Sequence, residues 1–443
     1  MRSLALSIAA IAASLCLAPP AGASLPPVRH VFVVVLENKN YDESFGPNSV
    51  APYLSKELTA KGQLLEQYYG TSHNSLGNYI SLVSGQAANP QTQADCQIFT
   101  DMLPGVVGGD GQAIGSGCVY PKGVPSLPDQ LDAKGLSWKG YMQDMGKPCR
   151  HPAIGQQDPT QSAKVGDQYA ARHNPFVYFH SIIDDTARCN AGDVPLESLP
   201  VDLASASTTP SFSLIVPDLC EDGHDAPCVD GRPGGLQSAD AFLQRWVPEI
   251  LAAPAMRHGM LIVTWDEANL QEASACCGEQ TGPNTPMPGI VGPGGGRTGT
   301  IVISPYVQPG TRNQTPYNHY SLLRSVEDLF GLQHLGFAAS KGLKPFGSDV
   351  FGASPQAGTE AVSRTGSGTS APATGCTARI AVRRRAGGRA RLVVRSPRAG
   401  TLRAAGQTRR VRACRSVHVA LAGRHGSARV LLPGERRAHA VSY

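Results

Sequence analysis

Acidic residues gather at three points of this sequence, each directly behind a short apolar run. Glu37-Asn38 follows residues 31–36; Asp218 follows residues 212–216, with Gly223-His224-Asp225 close behind; Asp266-Glu267 follows residues 261–264 and Trp265. An acid behind a strand often does no more than cap a helix. Three such groups brought to one place would instead hold a cation or do acid–base work. A fourth stretch, Gly70-Thr71-Ser72-His73-Asn74-Ser75-Leu76-Gly77-Asn78-Tyr79, contributes hydroxyls. From Leu76 apolar residues recur at helical spacing and stop at Gly85, which sets Ser75 at or near a helix N-terminus. The N–H groups and dipole there favour an anion, whether an alkoxide or a phosphate oxygen. Serine is a weak nucleophile at its free pKa, and a bound divalent cation is one way to activate it. The same place in a helix equally suits a serine that only caps.

Bringing these residues together requires a scaffold, and its parts are visible. Runs 31–36, 212–216, 261–264 and 300–303 are apolar on both faces and rich in β-branched residues. Central strands of a parallel sheet covered by helices read this way. Residues 239–251 and 320–330 are helical candidates. The expected fold class is α/β, a sandwich in which ligands bind beyond the carboxyl ends of the strands.

The 443 residues allow one large domain plus something smaller. Only 16% are charged, while Gly (49) and Pro (35) abound, which suits a compact, loop-rich extracytoplasmic protein better than a coiled coil or a disordered chain. Residues 1–23 read as a signal peptide: Arg2, an apolar run over 4–17, then Ala21-Gly22-Ala23. The run is short for a membrane span. Of the 11 cysteines, Cys16 lies in that leader, and the remaining ten read as disulfides of an oxidising compartment. Proximity suggests Cys96–Cys118, Cys149–Cys189, Cys220–Cys228, Cys276–Cys277 and Cys376–Cys414, although spacing does not determine connectivity. A secreted or extracytoplasmic protein, with the cell envelope as a place of association, is expected.

The net charge of +5 conceals two opposite parts. Residues 376–443 contain 17 Arg, no Lys and one acid, Glu435, so the remainder is acidic. Residues 353–375, rich in Ser, Thr, Gly, Ala and Pro, read as a linker. The domain layout is therefore a leader (1–23), a main domain (24–352), the linker, and an Arg-rich β-module (376–443), in which apolar residues alternate with Arg. Its basic faces suit an anionic membrane or cell-wall polymer, and equally a solvated surface. No aromatic residues interleave with the Arg, which argues against specific nucleic-acid binding.

The segment Leu36-Glu37-Asn38-Lys39-Asn40-Tyr41-Asp42-Glu43-Ser44-Phe45-Gly46 resembles the opening motif of the bacterial phosphoesterase family. The resemblance continues through residues 72–79, Asn174-Pro175-Phe176, residues 263–267 and Asn318-His319-Tyr320-Ser321-Leu322-Leu323, and covers roughly residues 28–352. That family contains secreted acid phosphatases and phospholipases C, within the alkaline-phosphatase-like superfamily. This chain most resembles its acid phosphatases and phosphatidylinositol-3-phosphatases. The resemblance implies an alkaline-phosphatase-like three-layer sandwich with a mostly parallel central sheet. It implies a phosphoric ester hydrolase with Ser75 as nucleophile and a phosphoseryl intermediate. It also implies a divalent metal ion, one of Ca, Mg, Mn or Zn, held by Glu37, Asn38, Ser75, Asp266 and Glu267. Asn78 is expected to hydrogen-bond a phosphate oxygen. Asp218, His224 and His319 are similar to a second metal cluster of the superfamily, although the spacing from Asp218 to His224 is longer than usual there. Those two histidines alternatively bind phosphate or protonate the leaving group. His173 is a weaker candidate for phosphate contact, and His73 for steadying the loop.

The expected function is hydrolysis of phosphate monoesters, with phosphoinositides or other phospholipids among the substrates and a monomer as the working form. Two rivals are a phospholipase C-type phosphodiesterase and a non-catalytic cell-surface binding protein on the same scaffold. Intact Glu37, Ser75, Asp266 and Glu267 argue against the second.

Overall fold

The computed structural model describes residues 25–277 and 279–352, and seven strands between 379 and 442. They fall into two compact units, one on either side of residues 358–359. The expected leader, linker and Cys376–Cys414 bridge lie outside the described residues.

The first unit is built on an eight-stranded sheet. Its strands are β1 (His30–Leu36), β2 (Gln63–Leu65), β3 (Trp138–Met142), β4 (Asp193–Pro195), β5 (Phe212–Val216), β6 (Gly259–Trp265), β7 (Thr300–Ile303) and β8 (Thr311–Asn313). Their spatial order is β8-β2-β7-β6-β1-β5-β3-β4. The apolar run of β1 takes the central place, parallel to β6 on one side and β5 on the other. Successive strand residues point to opposite faces. Val31, Val33 and Val35 enter one core together with Leu76, Tyr79 and Leu322. Phe32, Val34 and Leu36 enter a second core together with Phe242, Leu243 and Val247. The first face is covered by helices α1 (Ser75–Ser84) and α3 (His319–Phe330), and the other by α2 (Gly235–Ala252). This is the α/β three-layer sandwich expected, and the helical candidates 239–251 and 320–330 fall inside α2 and α3.

One strand departs from expectation. β7, read as part of a parallel sheet, runs antiparallel to both β6 and β2. The remaining strands all run one way. All four residues of β7 are buried. A strand buried on both faces is apolar whichever way it points, so direction leaves no mark on its composition. The reversal has a consequence for the site. The connection from β6 to β7 starts and ends at the same sheet edge, the one at which β1, β5 and β6 terminate.

Helix α1 ends at Gly85, whose φ of 67° is open to glycine without strain. Four disulfides occur among the described residues, Cys96–Cys118, Cys149–Cys189, Cys220–Cys228 and Cys276–Cys277. The second unit holds a three-stranded and a four-stranded antiparallel sheet. In the three-stranded sheet Arg379 pairs opposite Arg395, and Arg383 opposite Arg391.

The middle of β3 is Gly140, and a Cβ there would meet the ring of Phe176. Phe176 is fully buried and follows closely on His173. Gly140→Ala should lower unfolding free energy by about 1–3 kcal/mol through overpacking. Urea denaturation of the two proteins is the measurement, and an unchanged midpoint would contradict the packing described.

Candidate active site

Backbone hydrogen bonds bring the three acidic stretches together. The Glu37 N–H donates to the Asp222 carbonyl (2.9 Å), and the Asp266 N–H donates to that of Leu36 (2.8 Å). The ends of β1, β5 and β6 are thus stitched side by side. Ser75 comes to them on the first turn of α1. It is the first residue of the helix, with Asn74 in the cap position, so it is not the cap itself. Its hydroxyl donates to Glu37 Oε2 at 2.9 Å. Leu76 N–H, at the same helix start, donates to Asp95 Oδ1 (3.0 Å).

Glu37 is the junction. Oε2 also accepts from the Asn38 amide (3.0 Å), and Oε1 accepts from the Tyr79 hydroxyl (2.7 Å). His173 Nε2 lies 3.4 Å from Oε1, and His173 Nδ1 lies 3.2 Å from Asp222 Oδ2. Glu37, His173 and Asp222 present ligand-type atoms all within 4.8 Å of one another. Neither contact of His173 has hydrogen-bond alignment, so both ring nitrogens and Asp222 Oδ2 are buried without a partner; Asp266 Oδ2 is independently without one. Such atoms are costly to leave unsatisfied, which points to a ligand between them.

The electrostatics agree. Glu37, Asp222, Asp266 and Glu267 are all buried. Burial pushes each carboxyl upward from its ordinary range. For Asp222, Asp266 and Glu267 the charge on Glu37 pushes further the same way. Four carboxylates in this relation destabilise one another unless a positive charge joins them. Arg172 supplies part of it: buried, it donates to the Gln161 carbonyl (3.0 Å), with Nη2 3.4 Å from His224 Nε2 and Nε 3.9 Å from Asp95 Oδ2. Burial and the neighbouring Arg172 hold His173 well below the usual histidine value, so its ring is neutral.

The other expected residues are placed as follows. Asn38 N–H donates to Asp266 Oδ1 (3.1 Å). Glu267 Oε2 meets His73 Nδ1 (2.7 Å) and the Asn78 amide (3.1 Å). Asn78 does not fit the expected phosphate role. Its Oδ1 accepts from Thr71 and Ser72 N–H, and its amide donates to Ser72 O, Asn74 O and Glu267. It clamps the serine loop instead. The expected cluster of Asp218, His224 and His319 does not form. Asp218 Oδ1 turns back to the N–H groups of Cys220 and Glu221, and its carboxyl is pushed up to about 6 by burial. His319 is buried with Nδ1 on the Tyr68 hydroxyl (3.0 Å) and Nε2 on the Asp266 carbonyl, leaving no nitrogen for metal or phosphate. Burial holds it down to about 4. His224 flanks the site, Nδ1 on Asp225 Oδ1 (2.7 Å) and its ring 6.0 Å from that of His173.

Sequence reasoning passed over Asp222, Arg172, Tyr79 and Asp95. Asp222 was within reach, since it lies between Asp218 and His224 in the same strand-end loop. Asp95 carried no signal, because only the folded loop brings it in, whereas Tyr79 lies on α1 one turn beyond Ser75, at the end of the 72–79 motif.

A family model described as the Phosphoesterase family matches residues 47–333. The chain belongs to the phosphoesterase family. It is a phosphoric ester hydrolase by that membership, and the matched stretch takes in Ser75, His173, Asp222, Asp266 and Glu267. Among curated relatives, a phosphatidylinositol-3-phosphatase of Mycobacterium tuberculosis is 24% identical over 72% of this chain and 83% of its own. A probable acid phosphatase of Kluyveromyces lactis is 25% identical over 70% of this chain and 59% of its own. A phosphate-repressible acid phosphatase of Penicillium chrysogenum is 25% identical over 68% and 58%. The chain thus spans little more than half the length of these acid phosphatases. Among solved structures, an alkaline phosphatase superfamily protein of Vibrio parahaemolyticus covers 95% of this chain and 80% of its own at 10% identity and a TM-score of 0.43. The fold rests on the sheet order itself.

The segment bearing Arg172 and His173 is held from below. The Asn174 amide donates to Asp193 Oδ2 (2.8 Å), and burial pushes the Asp193 carboxyl up to about 7. An unfolded Asp titrates near ~3.9. Between these values the native state keeps a proton that the unfolded chain has lost, so stability falls as pH rises from about 4 to 7. Asp193→Asn removes that fall. Relative to the parent it should gain roughly 2 kcal/mol between pH 5 and pH 8 in chemical unfolding. An equal difference at both pH values would contradict a buried, neutral Asp193.

Proposed function

We propose that the protein is a secreted phosphomonoesterase that uses Ser75 as its nucleophile. The observation that carries this reading is the Ser75 hydroxyl on Glu37 Oε2 at 2.9 Å, at a helix N-terminus, beside buried polar atoms without partners. Glu37 takes the serine proton. The Ser75 oxygen attacks phosphorus, the ester P–O bond breaks, and the alkoxide leaves, taking a proton from water at the open margin where His224 is exposed. Water then splits the phosphoserine, releasing phosphate and restoring the hydroxyl. The positive end of the α1 dipole, where Ser75 sits, favours the anion in both steps.

The residues also fit a divalent cation. Glu37, Asn38, Ser75, Asp266 and Glu267 would hold it. Asp266 Oδ2 lacks any partner, and the surrounding carboxylates repel one another. When bound, it would neutralise those charges and lower the pKa of the serine hydroxyl. All-oxygen donors suit Ca, Mg or Mn, and the neighbouring His173 admits Zn.

A monoester rather than a diester is favoured by Arg172. Its fixed charge in the wall of the site matches the second negative charge that only a monoester phosphate carries. The names of the relatives support the same class. The four disulfides and the leader-like N-terminus support a place outside the cytoplasm. The Arg-rich second unit would hold the enzyme at an anionic surface.

Ser75→Ala should cut turnover of p-nitrophenyl phosphate by at least about 10³-fold while thermal unfolding is unchanged. A chelator should abolish the same turnover and a divalent ion restore it, with metal content followed by elemental analysis. Turnover that survives both treatments would remove Ser75 and the cation from the reaction. A parent enzyme that prefers p-nitrophenylphosphorylcholine to p-nitrophenyl phosphate would make it a diesterase of the phospholipase C type. Arg172→Gln should lower kcat/KM for the monoester about 100-fold and for the diester much less. Equal losses would mean that Arg172 only supports the fold.

A further inference from the structure

Exposed aliphatic side chains collect beside the candidate site. A hairpin pairs Leu103–Val107 with Ala113–Ser116 and carries Leu103, Val106 and Ile114. The connection between β6 and β7 carries Met287, Ile290 and Val291. All six are between 40% and 70% exposed. Scattered apolar residues on a surface are ordinary, but neighbouring ones are not. These two segments are tied together. The Asn284 amide donates to the Ala113 carbonyl (2.8 Å), and the Gly115 N–H donates to Asn284 Oδ1 (3.0 Å).

They are also tied to the serine loop. The Gln93 amide donates to the carbonyls of Met287 (2.8 Å) and Pro288 (2.9 Å), and the His73 N–H donates to the same Pro288 carbonyl (3.1 Å). Asn74, next to Ser75, donates to the Gln93 carbonyl (2.9 Å). The aliphatic patch is therefore fastened to the backbone that presents the nucleophile. Because β7 runs backwards, the connection carrying Met287, Ile290 and Val291 starts and ends at the site edge.

We propose that this rim docks on the surface of a bilayer containing anionic phospholipid, presenting lipid phosphate esters to Ser75. The proposal rests on the phosphomonoesterase reading and narrows its substrate to a lipid headgroup. Three observations select this occupant. Residues 103–116 contain a single charge, Asp110, and residues 280–296 contain none, which suits shallow insertion among headgroups. The exposed side chains are aliphatic and sit on Gly- and Pro-rich backbone. The same chain carries 17 Arg against one acid in residues 376–443, the complement of an anionic leaflet.

The test is co-sedimentation of the full chain with vesicles of phosphatidylcholine alone or mixed with phosphatidylglycerol, beside turnover of soluble p-nitrophenyl phosphate. The parent should pellet with the mixed vesicles. Leu103→Asp/Val106→Asp and, separately, Val291→Asp should each lower the bound fraction about tenfold. Turnover of the soluble ester should stay within about twofold, because exposed positions tolerate substitution. Unchanged pelleting of both variants overturns the proposal, as does a parent that turns over the soluble ester yet never pellets. A parent that forms dimers, broken by the same substitutions and indifferent to vesicles, overturns it in favour of a second copy of the chain. A parent that pellets as expected but hydrolyses no monoester would sink the reading of Ser75 and leave the docking rim standing.

Discussion

Glu37 and its buried carboxylate neighbours set the terms for the rest of this structure. Glu37, Asp222, Asp266 and Glu267 lie out of water at one sheet edge, and the charge on Glu37 raises the cost of charging the other three. Such an arrangement is unfavourable in isolation. It becomes reasonable where Arg172, the N-terminus of α1 and a cation-sized set of unpartnered oxygens and nitrogens meet it. The fold therefore carries local instability at the place where a phosphoryl group and its counter-charge would bind. That is the usual condition for strong electrostatic stabilisation of a charged transition state.

Several buried residues serve this arrangement without facing it. Asn78 joins the serine loop to Glu267, and His73 grips the other side of the same carboxylate. His319 supports the Asp266 carbonyl from α3, while Tyr68 holds its second nitrogen. Asp193 holds Asn174 and, through it, the segment carrying Arg172 and His173. The Ser75 oxygen is thus located by contacts from the sheet and from the helical layer formed by α1 and α3. The direction of β7 adds a geometric constraint, since both ends of the β6–β7 connection then lie at the rim of the site.

The fold was legible wherever burial alone shaped composition. The runs of β1, β5 and β6 had to be apolar on both faces, because each lies between two helical layers, and helices α2 and α3 kept a clear 3.6-residue pattern. The acids behind those strands were legible for the same reason, as polar residues where an apolar run ends. β7 was read in the wrong direction because burial does not encode polarity of the chain. Asn78 and His319 sat inside recognisable motifs, and the motifs were silent on whether each side chain faces the ligand or braces a neighbour.

The sequence by itself therefore determined the layered α/β scaffold and the family, and put Glu37, Asp266 and Glu267 behind strands and Ser75 at a helix start, since each follows from local pattern or from motif order. Only the tertiary structure decided that Asp222 rather than Asp218 joins them. The same holds for the meeting of His173 and Arg172 with Glu37, and for the aliphatic hairpin standing next to the serine loop. Those outcomes depend on which atoms lie within a few ångströms across gaps of tens to hundreds of residues. Hydrogen-bond direction and side-chain rotation settle such contacts, and neither leaves a periodic trace along the chain.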